Sequence, residues 1–352
     1  MNVVVPYPAL VSTVAEVFTD RGVPPDRADT AARALVHGDL TGVTSHGLVN
    51  LTRLYLPLLE SGRADPAADM EVLADLGACV LADAHRTLGL WAASQAMDLA
   101  VSRAGRYGVG VVSLRGATHI GCAGFHAARA AERGVIGLVT SNCGGQTIAR
   151  PPGGLAKVLG TNPLALACPA GDRHPFVLDM STTVVPTGRI RGAARVDEPI
   201  PAGWLAADDG TPVTDPAAYD RGEGHLLWLG STPETGAYKG FGLGLVVEAL
   251  SALVSGAALG PVRAGDADDD IGVMALAIAP ARLRPGFADD ADALFSALLG
   301  CPPADPRRPV VYPGWHEGER AAWRRAHGVP LPADLYEELY SSVRSSIPRA
   351  AG

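Results

Sequence analysis

The chain has 352 residues, 47% of them hydrophobic and 19% charged, with a formal net charge of −8. That is a globular composition, long enough for two or three domains. It has no Lys/Arg cluster of the kind that neutralises a phosphate backbone, so nucleic acid is not an expected partner.

Met1 to Asp20 lacks a basic n-region, and Glu16 and Asp20 interrupt its apolar pattern, so it does not read as a signal peptide. Pro8 to Arg21 and Asp26 to Leu40 read as amphipathic helices, apolar residues falling at i, i+3 and i+4, with Gly22 and Pro24-Pro25 between them. The stretch Thr41 to Gly47 places a Ser45-His46 pair between two glycines. Imidazole is the side chain that gives or takes a proton near pH 7, and a neighbouring hydroxyl orients it. The plainer reading is that Thr44 or Ser45 caps the next helix and His46 sits in its first turn. That helix is expected from Leu48 to Ser61, kinked at Pro57 and stopped at Gly62.

Glu71 to Asp83 alternates like a hairpin around Gly77. An alanine-rich helix, Leu88 to Tyr107, precedes a strand, Gly108 to Leu114, and a glycine-bearing loop that contains His119. A helix, Phe125 to Arg133, and a strand, Val135 to Ser141, follow. Gly116, Gly121 and Gly124 do not have the G-x-G-x-x-G spacing, Gly240-Phe241-Gly242-Leu243-Gly244 fails it too, and no Walker A sequence is present. An ordinary Rossmann domain or P-loop is therefore not expected. His119, in a loop after a strand, stands where ligand contacts are common; the alternative is a histidine that merely satisfies loop backbone.

Residues 142 to 190 are turns and short strands, including an apolar strand, Phe176 to Asp179, that ends on a carboxylate. Asp179 is either a helix cap or an acid that holds a histidine. Ile200 to Pro216 reads as an extended loop. Lys239, at the start of a long apolar helix, is either a surface charge or a phosphate contact. The longest apolar run, Phe241 to Leu259, carries Glu248 and reads as a buried helix, not a membrane span. Asp266 to Asp270 lacks EF-hand spacing, so no metal is expected; a strand, Val273 to Ala279, and a charged helix, Glu317 to His327, complete the chain. Five cysteines (Cys79, Cys122, Cys143, Cys168, Cys301) are scattered and never spaced C-x-x-C, which points to reduced thiols and a cytoplasmic location.

Several pieces, taken in order, resemble one family. They are Ser45-His46-Gly47, Thr118-His119-Ile120-Gly121-Cys122-Ala123-Gly124, Leu159-Gly160-Thr161-Asn162-Pro163 and Leu178-Asp179-Met180-Ser181-Thr182. Ile200-Pro201-Ala202-Gly203-Trp204, Thr214-Asp215-Pro216 and Tyr238-Lys239-Gly240-Phe241-Gly242 continue the series. The set is similar to the malate/L-lactate dehydrogenase family of the non-Rossmann kind. That family includes sulfolactate, ureidoglycolate and diketogulonate enzymes and the piperideine-2-carboxylate reductases.

The resemblance implies an α/β (α+β) fold like that of L-sulfolactate dehydrogenase. A helical domain (residues 1–69 plus 305–352) would stand beside a cofactor- and substrate-binding domain (residues 70–304) with a largely antiparallel or mixed sheet. It implies a homodimer that binds NAD or NADP in a cleft the second subunit helps to close, acting on a small molecule. His46 would be the acid/base, supported by Ser45 and Asp179, with His119 beside the nicotinamide or as a second proton-handling group. His119, Ile120, Gly121, Thr161, Asn162, Asp179, Met180, Ser181, Lys239 and Gly314 would line the cofactor site. Relatives hold substrate with an arginine and a tyrosine where this chain has Asn50 and Leu54, which with Arg53 are the candidate substrate contacts; Arg53 or Tyr55 would reach in from a shifted register, whereas a regular helix points them elsewhere. Trp315 replaces a usual glutamate, and Arg189 a lysine. The expected reaction is reduction of a ketone or cyclic imine, 2-oxo acid-like or larger. The alternative is a repurposed member that uses His46 for dehydration, isomerisation or cyclisation.

Overall fold

A short strand and two helices open the chain: β1 (Asn2–Val5), α1 (Tyr7–Thr19) and α2 (Pro25–Thr41). The structure is a computed structural model that describes residues 2–260, 262 and 270–344. Both helices carry a proline in the first turn, where its absent N–H has no helical partner to lose. The α2 helix ends on Gly42 at φ +90°, a backbone conformation suited to glycine. Leu10, Val14, Val17 and Phe18 of α1 face Ala28, Ala32 and Leu35 of α2 in one core, as their spacing predicts.

The single helix expected from Leu48 to Ser61 is two pieces. Leu51–Tyr55 is a π-helical turn, closed by the Leu56 N–H on the Leu51 carbonyl, and α3 (Leu56–Glu60) follows. Pro57 is the physical reason. It offers no N–H to the carbonyl four residues back and its ring crowds that position, so the turn before it widens. The widened turn shifts the register of residues 53 to 55 relative to a regular helix.

The hairpin around Gly77 is present as β2 (Glu71–Asp75) and β3 (Cys79–Asp83). Next come α4 (Gly89–Tyr107), β4 (Val109–Ala117), α5 (Ala123–Ala131), β5 (Ile136–Ser141), β6 (Leu164–Cys168) and β7 (Phe176–Met180). No helix starts at Asp179; the next one, α6 (Thr187–Arg195), begins eight residues later, so the capping alternative does not hold there. The loop expected over Ile200 to Pro216 contains β8 (Leu205–Ala206) and β9 (Pro212–Val213). With α7 (Ala218–Arg221) between, β10 (His225–Leu226) completes a small three-stranded sheet.

The apolar run near residue 241 forms α8 (Ala237–Glu248), continued by a second π-helical turn, Ala249–Leu253. It is one-sided rather than buried all round: Gly240, Gly244 and Val247 face inward, while Leu245, Val246, Leu253 and Val254 are exposed. The chain finishes with β11 (Ile271–Ile278), α9 (Pro280–Leu283), α10 (Phe287–Leu299), α11 (Trp315–His327), β12 (Val329–Pro332) and α12 (Ala333–Arg344). Among the described residues no helix is long and apolar enough to cross a membrane. Of the Asp266 to Asp270 run, residues 266–269 lie outside the described residues; Asp270 accepts the Gly116 N–H at 2.9 Å.

The main sheet has seven strands in the order β2-β3-β4-β11-β5-β6-β7, antiparallel except for the parallel β3–β4 pair. This is a mixed, non-Rossmann sheet. Central β11 is an unbroken apolar run because both of its faces are covered. Val273, Ala275 and Ala277 pack with the alanines of α4 and α5. On the other face Gly272 lies against the Ser251 carbonyl, only 2.1 Å from where a Cβ would stand. A separate core joins α1 and α2 to Ala321, Val329, Leu331 and Leu339 from the C-terminal end, and β1 pairs antiparallel with β12. A large cavity opens between these two cores.

Candidate active site

The cavity has a volume of about 1180 Å³, and its wall includes His46, His119 and Asp179. His46 closes a short 3-10 turn, Thr44–His46, immediately after α2. Its Nδ1 is 2.9 Å from the Ser45 hydroxyl. The Ser45 carbonyl in turn accepts a bond from the Asn50 amide at 3.0 Å. Burial lowers the His46 pKa from the ordinary 6.5, because the charged imidazolium loses its hydration.

The turn carrying His46 is pinned from below by Asp39, a buried carboxylate on α2. Asp39 accepts the Leu48 N–H at 2.6 Å. Neither Thr44 nor Ser45 caps this segment. Desolvation pushes Asp39 up to about 6, against the lowering effect of the Leu48 bond and of Arg324. Arginines of α11 complete the support: Arg320 donates to the Thr41 carbonyl at 2.6 Å and Arg324 donates to the Asp39 carbonyl. They satisfy carbonyls at the C-terminal end of α2, where positive charge is also favoured by the helix dipole.

His119 follows β4 in the loop that leads to α5. Its ring faces that of His46, centroids 5.8 Å apart and planes 26° from parallel. Its Nδ1 accepts the Gly121 N–H at 3.1 Å and lies 2.9 Å from the Tyr55 hydroxyl. Burial, with His46 adding to it, pushes the His119 pKa down to about 3. The loop itself is held by His126, whose Nε2 donates to the Ile120 carbonyl at 2.8 Å while Ser94 meets its Nδ1 at 2.9 Å. Nε2 of both His46 and His119 remains open to the cavity, neither being a buried atom without a partner.

Asp179 sits on the cavity wall but does not touch His46. Its Oδ2 accepts the Gly124 N–H at 2.8 Å at the start of α5. The residue is exposed to the cleft, yet desolvation of its carboxyl outweighs the lowering effect of the Gly124 bond and pushes it up to about 6.

The other anticipated residues divide into two sets. Ile120, Gly121, Thr161, Met180, Ser181, Arg53 and Leu54 line the cavity. Asn162 lies behind the wall, fully buried, its amide donating to the Gly244 carbonyl at 2.9 Å and to Glu248 at 2.7 Å. Asn50 supports Ser45 instead of facing the cleft. Lys239 is exposed beside the Tyr238 ring, outside this chain's cavity. Gly314 packs on β7, where a Cβ would come within 2.7 Å of the Val177 nitrogen. Trp315 belongs to a satellite core, edge-on to Tyr312 at 5.4 Å.

Sequence reasoning missed Asp39 and Arg195, and it named Tyr55 only as a residue that a shifted register would bring in. Asp39 had a readable signal, an acid on the apolar face formed with Leu35, Val36 and Leu40. Arg195 shares a face of α6 with Gly188 and Gly192 at i, i+4 and i+7, and all three line the cavity. Tyr55 reaches His119 through the π-turn, contrary to the regular-helix expectation. The same turn leaves Arg53 on the cavity wall with no hydrogen-bond or ion-pair partner among the described residues. Among the described residues, too, no three His, Cys, Asp or Glu side chains group as a metal site.

A sequence model of the malate/L-lactate dehydrogenase family matches residues 5–340. Malate dehydrogenase of Pyrococcus horikoshii is 39% identical over 253 residues, 72% of this chain and 69% of that protein. L-sulfolactate dehydrogenase of Methanocaldococcus jannaschii is 33% identical over 93% of this chain and 92% of that protein. The solved sulfolactate dehydrogenase of the same organism superposes with a TM-score of 0.86 at 31% identity, covering 98% of this chain and 97% of that one. The structure of delta1-piperideine-2-carboxylate reductase from Pseudomonas syringae pvar. tomato gives a TM-score of 0.85 at 27% identity, covering 97% and 99%. The mixed sheet and the two-core cleft thus define an oxidoreductase scaffold without a Rossmann domain. The chain belongs to the malate/L-lactate dehydrogenase family.

Proposed function

We propose that this enzyme reduces, and in reverse forms, the ketone or cyclic imine of a carboxylate-bearing substrate, with His46 as the acid/base and NAD or NADP as the hydride carrier. The observation that carries the reading is His46 itself. It is a desolvated imidazole oriented by Ser45, open at Nε2 to a large cavity, and faced by a second imidazole at 5.8 Å.

The cavity wall fits a dinucleotide. Its volume exceeds the roughly 300–1,000 Å³ typical of small-ligand pockets, and α6 lays Gly188, Gly192 and Arg195 along one side. A Cβ on Gly192 would meet no other atom, and Arg195 has no partner among the described residues, which suits an anionic pyrophosphate lying along that helix. His119, Ile120, Gly121, Thr161, Asp179, Met180 and Ser181 would hold the remainder, with Asn162 buttressing Thr161 from behind. When bound, the nicotinamide supplies the hydride to the substrate carbon.

His46 hands its proton from Nε2 to the substrate oxygen or nitrogen as negative charge builds there, and takes it back in the oxidative direction. Ser45 keeps the ring turned so that Nε2 faces the substrate. Arg53, brought to the wall by the π-turn, pairs with the substrate carboxylate, the part that relatives assign to residue 50. Asp179 acts on the cofactor and on α5 rather than directly on His46. Lys239 and Gly314, which lie outside this chain's cavity, would contribute in a homodimer, and the scattered free cysteines agree with a cytoplasmic enzyme.

The test is to titrate the purified chain with NADH and NADPH and follow nicotinamide fluorescence, then screen 2-oxo acids and cyclic imino acids for cofactor oxidation. Saturable binding of one cofactor and turnover with a carboxylate-bearing ketone or imine are expected. No binding of either cofactor at about 1 mM, the upper range of ordinary KM values, contradicts the reading.

A further inference from the structure

The two histidines of the cavity are wired differently, and the difference lies at Nδ1 of His119. That nitrogen receives the Gly121 backbone N–H at 3.1 Å, and an amide N–H only donates. The Tyr55 hydroxyl lies 2.9 Å from the same atom. Tyr55 is fully buried, edge-on to Phe18 at 6.4 Å, and among the described residues its hydroxyl meets no other acceptor. A buried phenol that keeps its proton uses it in a hydrogen bond. Two donors converge on one nitrogen, so that nitrogen carries the lone pair and the ring proton is on the other side. His46 has no such constraint, since its Nδ1 meets a serine hydroxyl that donates or accepts as required.

We propose that Tyr55 and the Gly121 amide fix His119 as the neutral tautomer protonated at Nε2. In that form it is a standing hydrogen-bond donor to the reacting oxygen or nitrogen of the substrate, while His46 alone exchanges the proton. Tyr55 is then a positioning residue, acting through His119, and the inference rests on the redox reading for what lies against Nε2. In the reductive direction the substrate carbon gains a hydride, its electron pair moves to the oxygen or nitrogen, and His46 delivers the proton there. His119 stabilises the developing charge throughout without losing its own proton, and a donor preset in this way needs no reorganisation during the step. A neutral imidazole is better suited to this than an imidazolium because it cannot compete with His46 as the acid. Charging His119 would place a third proton between two donors at Nδ1, which explains why burial and geometry push it the same way.

The experiment is a long-range proton–nitrogen spectrum of the 15N-labelled full chain at pH 7, with His119 assigned by its loss in His119→Asn. The expected signature is a protonated Nε2 and an unprotonated Nδ1. The Tyr55→Phe variant, which removes only the hydroxyl, is expected to change the His119 spectrum and to lower kcat about tenfold with KM nearly unchanged, one hydrogen bond's worth of positioning. A wild-type His119 protonated at Nδ1, or carrying both protons, overturns the proposal. So does a Tyr55→Phe protein whose His119 spectrum and kcat both match wild type. The spectrum needs neither substrate nor cofactor, so it separates from the redox reading: turnover that survives His46→Ala would sink that reading and leave the tautomer assignment standing.

Discussion

The Asp39 carboxylate occupies the space that a side chain at position 47 would fill. Its Oδ2 stands 2.2 Å from the place of a Cβ on Gly47, and the same oxygen accepts the Leu48 N–H at 2.6 Å. Glycine next to His46 is therefore a packing requirement, since any larger residue displaces the carboxylate that holds the turn. Gly47→Ala is expected to lose about 1–3 kcal/mol of stability, the usual cost of overpacking, and to lower turnover by moving His46. A denaturant melt and a kcat measurement on this variant check both; a stable, fully active protein would rule out the pinning role of Asp39.

Asp39 also sets a pH dependence of stability. Its folded pKa is raised to about 6 from 3.8, so the folded chain holds that proton more firmly than the unfolded one. The group's contribution is most favourable below pH 3.8, declines as pH rises towards 6, and is fully lost above it. A shift of this size corresponds to roughly 3 kcal/mol. Asp39→Asn keeps an acceptor for Leu48 and removes the charge. Its stability relative to wild type is expected to improve by that order between pH 4 and pH 7. Parallel urea melts at the two pH values measure it, and a difference that does not change with pH contradicts the assignment.

Arg53 faces the cavity without a partner among the described residues. If it pairs with a substrate carboxylate, Arg53→Met raises KM by about tenfold to a hundredfold and leaves kcat within a few-fold, the size of a charge-assisted hydrogen bond. Asn50→Ala acts otherwise, lowering kcat through the Ser45 carbonyl it supports. Steady-state kinetics of the two variants separate these effects, and an unchanged KM in Arg53→Met would remove Arg53 from substrate binding.

The pH profiles of the two directions follow from His46. Its pKa lies below 6.5 because burial disfavours the charged ring. Reduction requires the imidazolium, so its kcat/KM falls as pH rises through that pKa; oxidation requires the neutral ring, so its kcat/KM rises and then levels. His119, held near 3, adds no inflection close to neutrality. Rate profiles from about pH 5 to pH 9 test this, and a reduction rate that climbs towards alkaline pH contradicts it.

Much of this arrangement is written locally in the chain. The spacing of Leu10, Val14, Val17 and Phe18, the Gly42 stop and the unbroken apolar run of β11 each specify an element and its buried face. The Ser45-His46-Gly47 motif and the His119 loop mark the two imidazoles of the cavity. What could not be read depends on distant or non-repeating geometry. The pairing of β1 with β12 joins the two ends of the described chain, and no local pattern announces it. The two-residue strands β8, β9 and β10 are too short for an alternating pattern to appear. Most consequential is the turn before Pro57: proline signalled an interruption, but not that a π-helical turn would resolve it and carry Arg53 and Tyr55 into the site. Asp179 shows the opposite limit, since the sequence marks it as a site residue but not that its carboxylate bonds Gly124 instead of His46.

The most direct measurement is turnover and cofactor binding in His46→Ala. The account predicts a loss of roughly a hundredfold to ten-thousandfold in kcat/KM, the usual contribution of a general acid/base, with nicotinamide fluorescence titrations close to wild type. Turnover within a few-fold of wild type would contradict it and move the proton transfer to another group.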